Sequence, residues 1–87
     1  MNSMQSTTDI ERDIRSFIVQ NFLNGNADKL SKDGSLLGDV IDSMGVLNLV
    51  SFLQERFGIT VEDDEVVPSN LDTIDNLVAY VARKVSA

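Results

Sequence analysis

The chain has 87 residues, 43% of them hydrophobic, a net charge of −7, and neither cysteine nor histidine. That length sets one small domain with a single core, too little chain to enclose a deep catalytic cavity of its own. The missing residue types exclude disulfides, thiolate metal sites and any Ser-His-Asp arrangement, and the acidity opposes nucleic-acid phosphates.

The charge is uneven. Residues 1–35 carry four basic against five acidic side chains, whereas residues 36–87 carry three against nine. Such a surface steers toward basic partner surfaces. No apolar stretch approaches the roughly 18 residues that would cross a membrane. "MNSMQSTT" lacks the basic and apolar regions of a signal peptide. The expectation is a flexible tail over residues 1–8, one domain over residues 9–87, a cytoplasmic location and a monomer.

"TDIERDIRSFIVQNFLNG" predicts the first helix. Thr8 and Glu11 have the spacing of a capping box, Ile10, Ile14, Phe17 and Ile18 share one face, and Gly25 can end the helix in the left-handed region. A long connection from Asn26 to Asp42 follows, in which Leu30, Leu36, Leu37, Val40 and Ile41 are expected to pin the chain onto the core. "SMGVLNLVSFLQERFG" predicts the second helix, with Asp42 as its N-cap and Gly58 as its stop. Val46, Leu49, Val50, Leu53 and Phe57 form its buried stripe, and Met44, Leu47 and Phe52 lie off it.

"ITVEDDEVVPSN" holds the acidic cluster Glu62, Asp63, Asp64 and Glu65, expected on a short helix or turn that Pro68 stops. "LDTIDNLVAYVARKVSA" predicts the last long helix, capped by Asp72 or Thr73, with Ile74, Leu77, Val78, Val81 and Val85 inward and Arg83 and Lys84 at its negative end. No strand pattern competes, so the class is all-α, a small helical bundle.

Few residues offer chemistry. Asn24, Asn26 and Asp28 begin like a calcium loop, but Lys29 stands where glycine is required and Ser35 where the bidentate glutamate belongs. The consecutive acids at 62–65 point in different directions, as a solvated face does. This leaves Ser43, which follows Asp42 at a predicted helix start. Serine is common in a first turn. The same location also presents free N–H groups and a positive partial charge, which suits a phosphate ester. Position permits this reading without selecting it.

Asp42-Ser43-Met44 resembles the Asp-Ser-Leu or Asp-Ser-Met attachment motif of the acyl and peptidyl carrier protein family. The flanking segments "SLLGDVIDSMGVLNLVSFLQERFGI" and "VEDDEVVPSNLDTIDNLVAYVARK" are similar to stand-alone carriers, so the resemblance covers about residues 8–85. It implies a four-helix bundle with three long helices and a short third one near Asp63 to Val67. It also implies 4′-phosphopantetheine on Ser43, installed from coenzyme A by a separate phosphopantetheinyl transferase that uses magnesium. Asp42 would cap the helix and help the transferase's metal site. Met44 and Leu47 would meet the arm and partner enzymes, and Glu62, Asp63, Asp64 and Glu65 would meet partner enzymes.

The chain would then be a carrier rather than an enzyme, holding acyl or aminoacyl thioesters. It departs from carriers of dissociated fatty-acid synthesis, whose second helix is strongly acidic. Here that helix has only Glu55, offset by Arg56, with Gly45, Asn48 and Gln54 where acids are common. The pattern is closer to carriers beside adenylating or acyl-transferring enzymes in specialised metabolism, and to D-alanyl carriers. A housekeeping fatty-acid carrier and a non-catalytic helical interaction domain stand as the alternatives.

Overall fold

The computed structural model describes residues 6–31 and 33–86. Among these residues there are four α-helices, α1 (Thr7–Phe22), α2 (Ser43–Phe57), α3 (Pro68–Leu71) and α4 (Ile74–Ser86), with a 3-10 turn at Ala27–Lys29 between α1 and α2 and another at Asp63–Glu65 between α2 and α3. The all-α four-helix architecture with one short helix is therefore present. Among the described residues the only bridge is an isolated one between Leu37 and Ile41.

Helix α1 begins earlier than expected. Ser6 is its N-cap, its Oγ accepting the Asp9 N–H at 3.1 Å, so Thr7 and Thr8 are already helical. Glu11 does not close a capping box on Thr8: its carboxylate takes the Arg15 Nε–H at 2.7 Å, one turn along. The expected tail lies partly outside the described residues. Ile10, Ile14 and Ile18, spaced by four, are buried. Asn24 and Gly25 both have positive φ, 52° and 85°, and the Gly25 N–H closes on the Val19 carbonyl at 2.9 Å.

In the connection, Asn26 caps the first 3-10 turn by accepting the Asp28 N–H, which accounts for its place beside Asp28. Leu30, Leu36 and Ile41 are buried, while Leu37 and Val40 pack partly against the core.

Helix α2 buries Leu49 and Leu53 and packs Val46 and Phe57 at their edges. Phe52, expected off the stripe, stacks on Phe17 of α1 with ring centroids 4.2 Å apart. That aromatic pair covers a flank of the helix that spacing alone leaves polar. Gly58 ends α2 at φ 67°.

The third helix differs most from expectation. Asp63–Glu65 forms only a 3-10 turn, and Pro68 does not stop a helix but opens α3 at its first position. There its missing N–H is no loss and its fixed φ is already helical. Thr73, not Asp72, caps α4, its Oγ1 accepting the Asn76 N–H at 2.9 Å. Along α4, Ile74, Leu77 and Val81 are buried as expected, but Tyr80 joins them while Val85 is exposed. Helices α1 and α4 pack together and α3 lies on α4. Among the described residues no helix is long and apolar enough to cross a membrane.

Candidate functional site

Ser43 is the first residue of α2 and is exposed. Asp42 before it is extended, at φ −84° and ψ −177°, and its side chain accepts the Gly45 N–H at 2.7 Å. Its carbonyl accepts the Val46 N–H at 3.0 Å. The carboxylate thus satisfies a free first-turn N–H and fixes where the helix starts. No acidic side chain lies within that first turn beyond the Asp42 cap, and the Ser43 hydroxyl stands in solvent at this end of the helix.

The start of α2 is seated against the end of α1. Gly45 is buried, and a Cβ on it would lie 2.6 Å from Phe22 Cε1 and 3.0 Å from Ile41 Cγ2. Gln54 is half-buried, and its Oε1 accepts the Val61 N–H at 3.0 Å. Of the three positions where acids were noted as common, only Asn48 is an exposed surface site. The acid-poor face of α2 therefore follows partly from packing.

Beside Ser43, Met44 is 69% and Leu47 62% exposed. They leave two large apolar side chains in solvent within one turn of the Ser43 hydroxyl.

The acids at 62–65 do not act alike. Glu62, Asp63 and Asp64 are exposed. Glu65 turns inward: its carboxylate accepts the Glu62 N–H at 3.0 Å, the Tyr80 hydroxyl at 2.9 Å and the Lys84 ammonium at 3.0 Å. Its side chain and that of Glu62 form a capping box. The backbone N–H of Glu62, then Lys84, hold the Glu65 carboxyl down at about 2. Burial, then the Glu65 carboxylate, push the Tyr80 phenol up to about 12. Asn70 joins the cluster, donating to the Glu65 carbonyl and accepting from Arg83. Sequence reading missed Tyr80 and Asn70, although a lone tyrosine on an otherwise aliphatic helix face was a usable signal.

A family model described as "Phosphopantetheine attachment site" matches residues 18–81. The chain belongs to this family. Among relatives of the phosphopantetheine-attachment family it is similar to the probable acyl carrier protein PigG of a Serratia species. The identity is 29% over 75 residues, which is 85% of this chain and 86% of the relative. The acyl carrier protein of Akkermansia muciniphila is 33% identical over 90% of this chain and 95% of its own length. That of Exiguobacterium sibiricum is 33% identical over 84% and 90%.

Phosphopantetheine-attachment proteins are carriers that meet biosynthetic enzymes, and the prosthetic group is covalent 4′-phosphopantetheine. The residues present fit it. An exposed hydroxyl at a helix N-terminus, with no acid in the following turn, accommodates a phosphodiester. Met44 and Leu47 offer apolar surface beside it. When attached, the group supplies a terminal thiol for thioester formation.

Proposed function

We propose that Ser43 is the attachment residue and that the chain is a carrier, not an enzyme, for acyl or aminoacyl thioesters in a specialised pathway. The observation that carries the reading is the geometry at Ser43. It is an exposed hydroxyl on the first residue of α2, held by the Asp42 cap and flanked by exposed Met44 and Leu47. Two other serines are engaged differently: Ser6 caps α1, and the Ser35 hydroxyl donates to Asp72 at 2.7 Å.

With no histidine or cysteine in the chain, deprotonation of Ser43 falls to a phosphopantetheinyl transferase and its magnesium. Asp42 keeps the first turn wound so that the hydroxyl stays outside the bundle. The cargo is loaded by a dedicated adenylating or acyl-transferring enzyme that reads Met44, Leu47 and the exposed acids Glu62, Asp63 and Asp64. The cytoplasm, where coenzyme A and such enzymes meet, is the proposed location, and the acidic monomer is the working form.

A housekeeping role in fatty-acid synthesis is the second reading, favoured by the plain name "Acyl carrier protein" of most similar relatives. A D-alanyl carrier shares the same attachment chemistry. The specialised reading is supported by α2, where Glu55 is the sole acid and Arg56 adjoins it.

Intact mass after incubation with coenzyme A and a broad-specificity transferase tests the attachment. The wild type gains one pantetheinyl mass, and Ser43→Ala gains none while keeping its helical circular dichroism. Modification of the alanine variant at Ser31, Ser35 or Ser51 overturns the assignment.

A further inference from the structure

Asp72 occupies the junction between α3 and α4. Its own N–H bonds the Pro68 carbonyl at 2.9 Å, and the next residue caps α4, so its position is set from both sides. From there it holds three consecutive residues that are distant in sequence. Its carbonyl accepts the Leu36 N–H at 2.6 Å. Its carboxylate oxygen Oδ1 accepts the Ser35 hydroxyl at 2.7 Å and the Leu37 N–H at 3.1 Å.

The pinned segment passes this constraint on. The Leu36 carbonyl accepts the N–H groups of Val40 and Ile41 at 2.9 Å and 2.8 Å, and the Gly38 N–H returns to the Ile41 carbonyl at 2.9 Å. Ile41, buried, then delivers the chain to Asp42 and Ser43, and its Cγ2 lies against Gly45. A series of hydrogen bonds thus runs from the α3–α4 junction to Ile41, and the chain itself, with the Ile41–Gly45 contact, carries it to the start of α2.

We propose that Asp72 is a positioning residue for the modification of Ser43: it fixes the segment 35–41 and through it the Asp42 cap that presents the hydroxyl. This rests on Ser43 being the attachment residue. The Ser35 hydroxyl, then the Leu37 N–H, hold the Asp72 carboxyl below its usual range, so the anchoring acceptor is ionised at neutral pH. A flexible 35–41 segment still reaches the transferase, but in many arrangements of which few are productive. The effect therefore falls on apparent carrier affinity more than on turnover.

Modification by a broad-specificity transferase at graded carrier concentration separates KM from kcat. Asp72→Ala raises KM for the carrier about tenfold with kcat little changed. Asp72→Asn, whose amide oxygen can accept both bonds, restores KM to within about twofold. Ser35→Ala, which removes one bond and keeps the fold, gives a smaller rise. Val81→Ala, a core truncation on α4 outside the segment, lowers Tm but leaves KM unchanged.

Hydrogen exchange adds a readout without any enzyme. Protection of the Gly45 N–H, the donor to Asp42, falls in Asp72→Ala and persists in Val81→Ala. A wild-type KM and unchanged Gly45 protection in Asp72→Ala overturn the inference alone, provided that Ser43→Ala gains no mass. An equal KM rise in Val81→Ala also overturns it, by reducing the effect to general stability. Mass gained by Ser43→Ala overturns the inference together with the reading it rests on.

Discussion

At Gly45 a single missing Cβ decides both packing and surface charge. Glycine costs up to about 1 kcal/mol relative to alanine in a helix, yet here, in the first turn of α2, alanine would press on the Phe22 ring, which already packs edge-to-face with Phe17. Overpacking costs about 1–3 kcal/mol, so Gly45→Ala is expected to lower the melting temperature despite its helix propensity. Gly45→Glu lowers it further, because it also presses a carboxylate into that apolar contact. Thermal unfolding followed by circular dichroism checks both, and an unchanged or higher Tm for Gly45→Ala contradicts the close approach. Sequence alone marked Gly45 only as a place without an acid. Phe22, its partner, is 23 positions away on another helix, and no local pattern encodes that encounter. Ser43 and Asp42 were legible because cap, motif and first turn are all local.

The same division holds for whole elements. The long helices were legible because their apolar positions repeat at helical spacing and their ends carry Asp42, Gly25 and Gly58. The short third helix was not, because proline marks a stop inside a helix and a start at its first position. Only the fold settles which applies to Pro68. The acids before it looked like one solvated face, yet Glu65 ties the 3-10 turn to Tyr80 and Lys84 of α4. This knot has a pH signature. The Glu65 carboxyl is held at about 2 instead of 4.5, so its contribution is complete above 4.5 and is lost as pH falls from there toward 2. The Tyr80 phenol stands at about 12 instead of 10, so its contribution is complete below 10 and is lost as pH rises from there toward 12. Stability measured against pH should thus decline beyond both limits. Glu65→Gln should flatten the acid limb and Tyr80→Phe the alkaline limb. Limbs that persist unchanged in both variants would show that other groups set them.

Across the whole molecule, a core contributed by all four helices and the connecting segment leaves little redundancy. Leu53 is fully buried at mid-α2, and Leu53→Ala is expected to cost about 2–5 kcal/mol, a large share of the roughly 5–15 kcal/mol that holds such a domain. Denaturant unfolding gives the value, and a loss under about 1 kcal/mol would misplace Leu53 in the core. The surface makes a different argument. Net charge was legible from composition, but its placement was not. Of the acids at 62–65, three face solvent and one is tied inward, while α2 offers Glu55 beside Arg56. Charge placement governs encounter rate and discrimination more than contact area does. Enzymes that dock on an acidic second helix should therefore accept this carrier poorly even with its arm attached. Gly45 and Gln54 are bound into the fold, so Asn48→Glu is the one substitution of the three that adds an acid without disturbing packing. It should raise turnover with fatty-acid enzymes, and about 0.5 M salt should erase the gain, because screening then acts within a few ångströms. A gain that survives salt would assign the effect to shape. If the unmodified sequence already serves those enzymes as well as a fatty-acid carrier does, the housekeeping role replaces the specialised one.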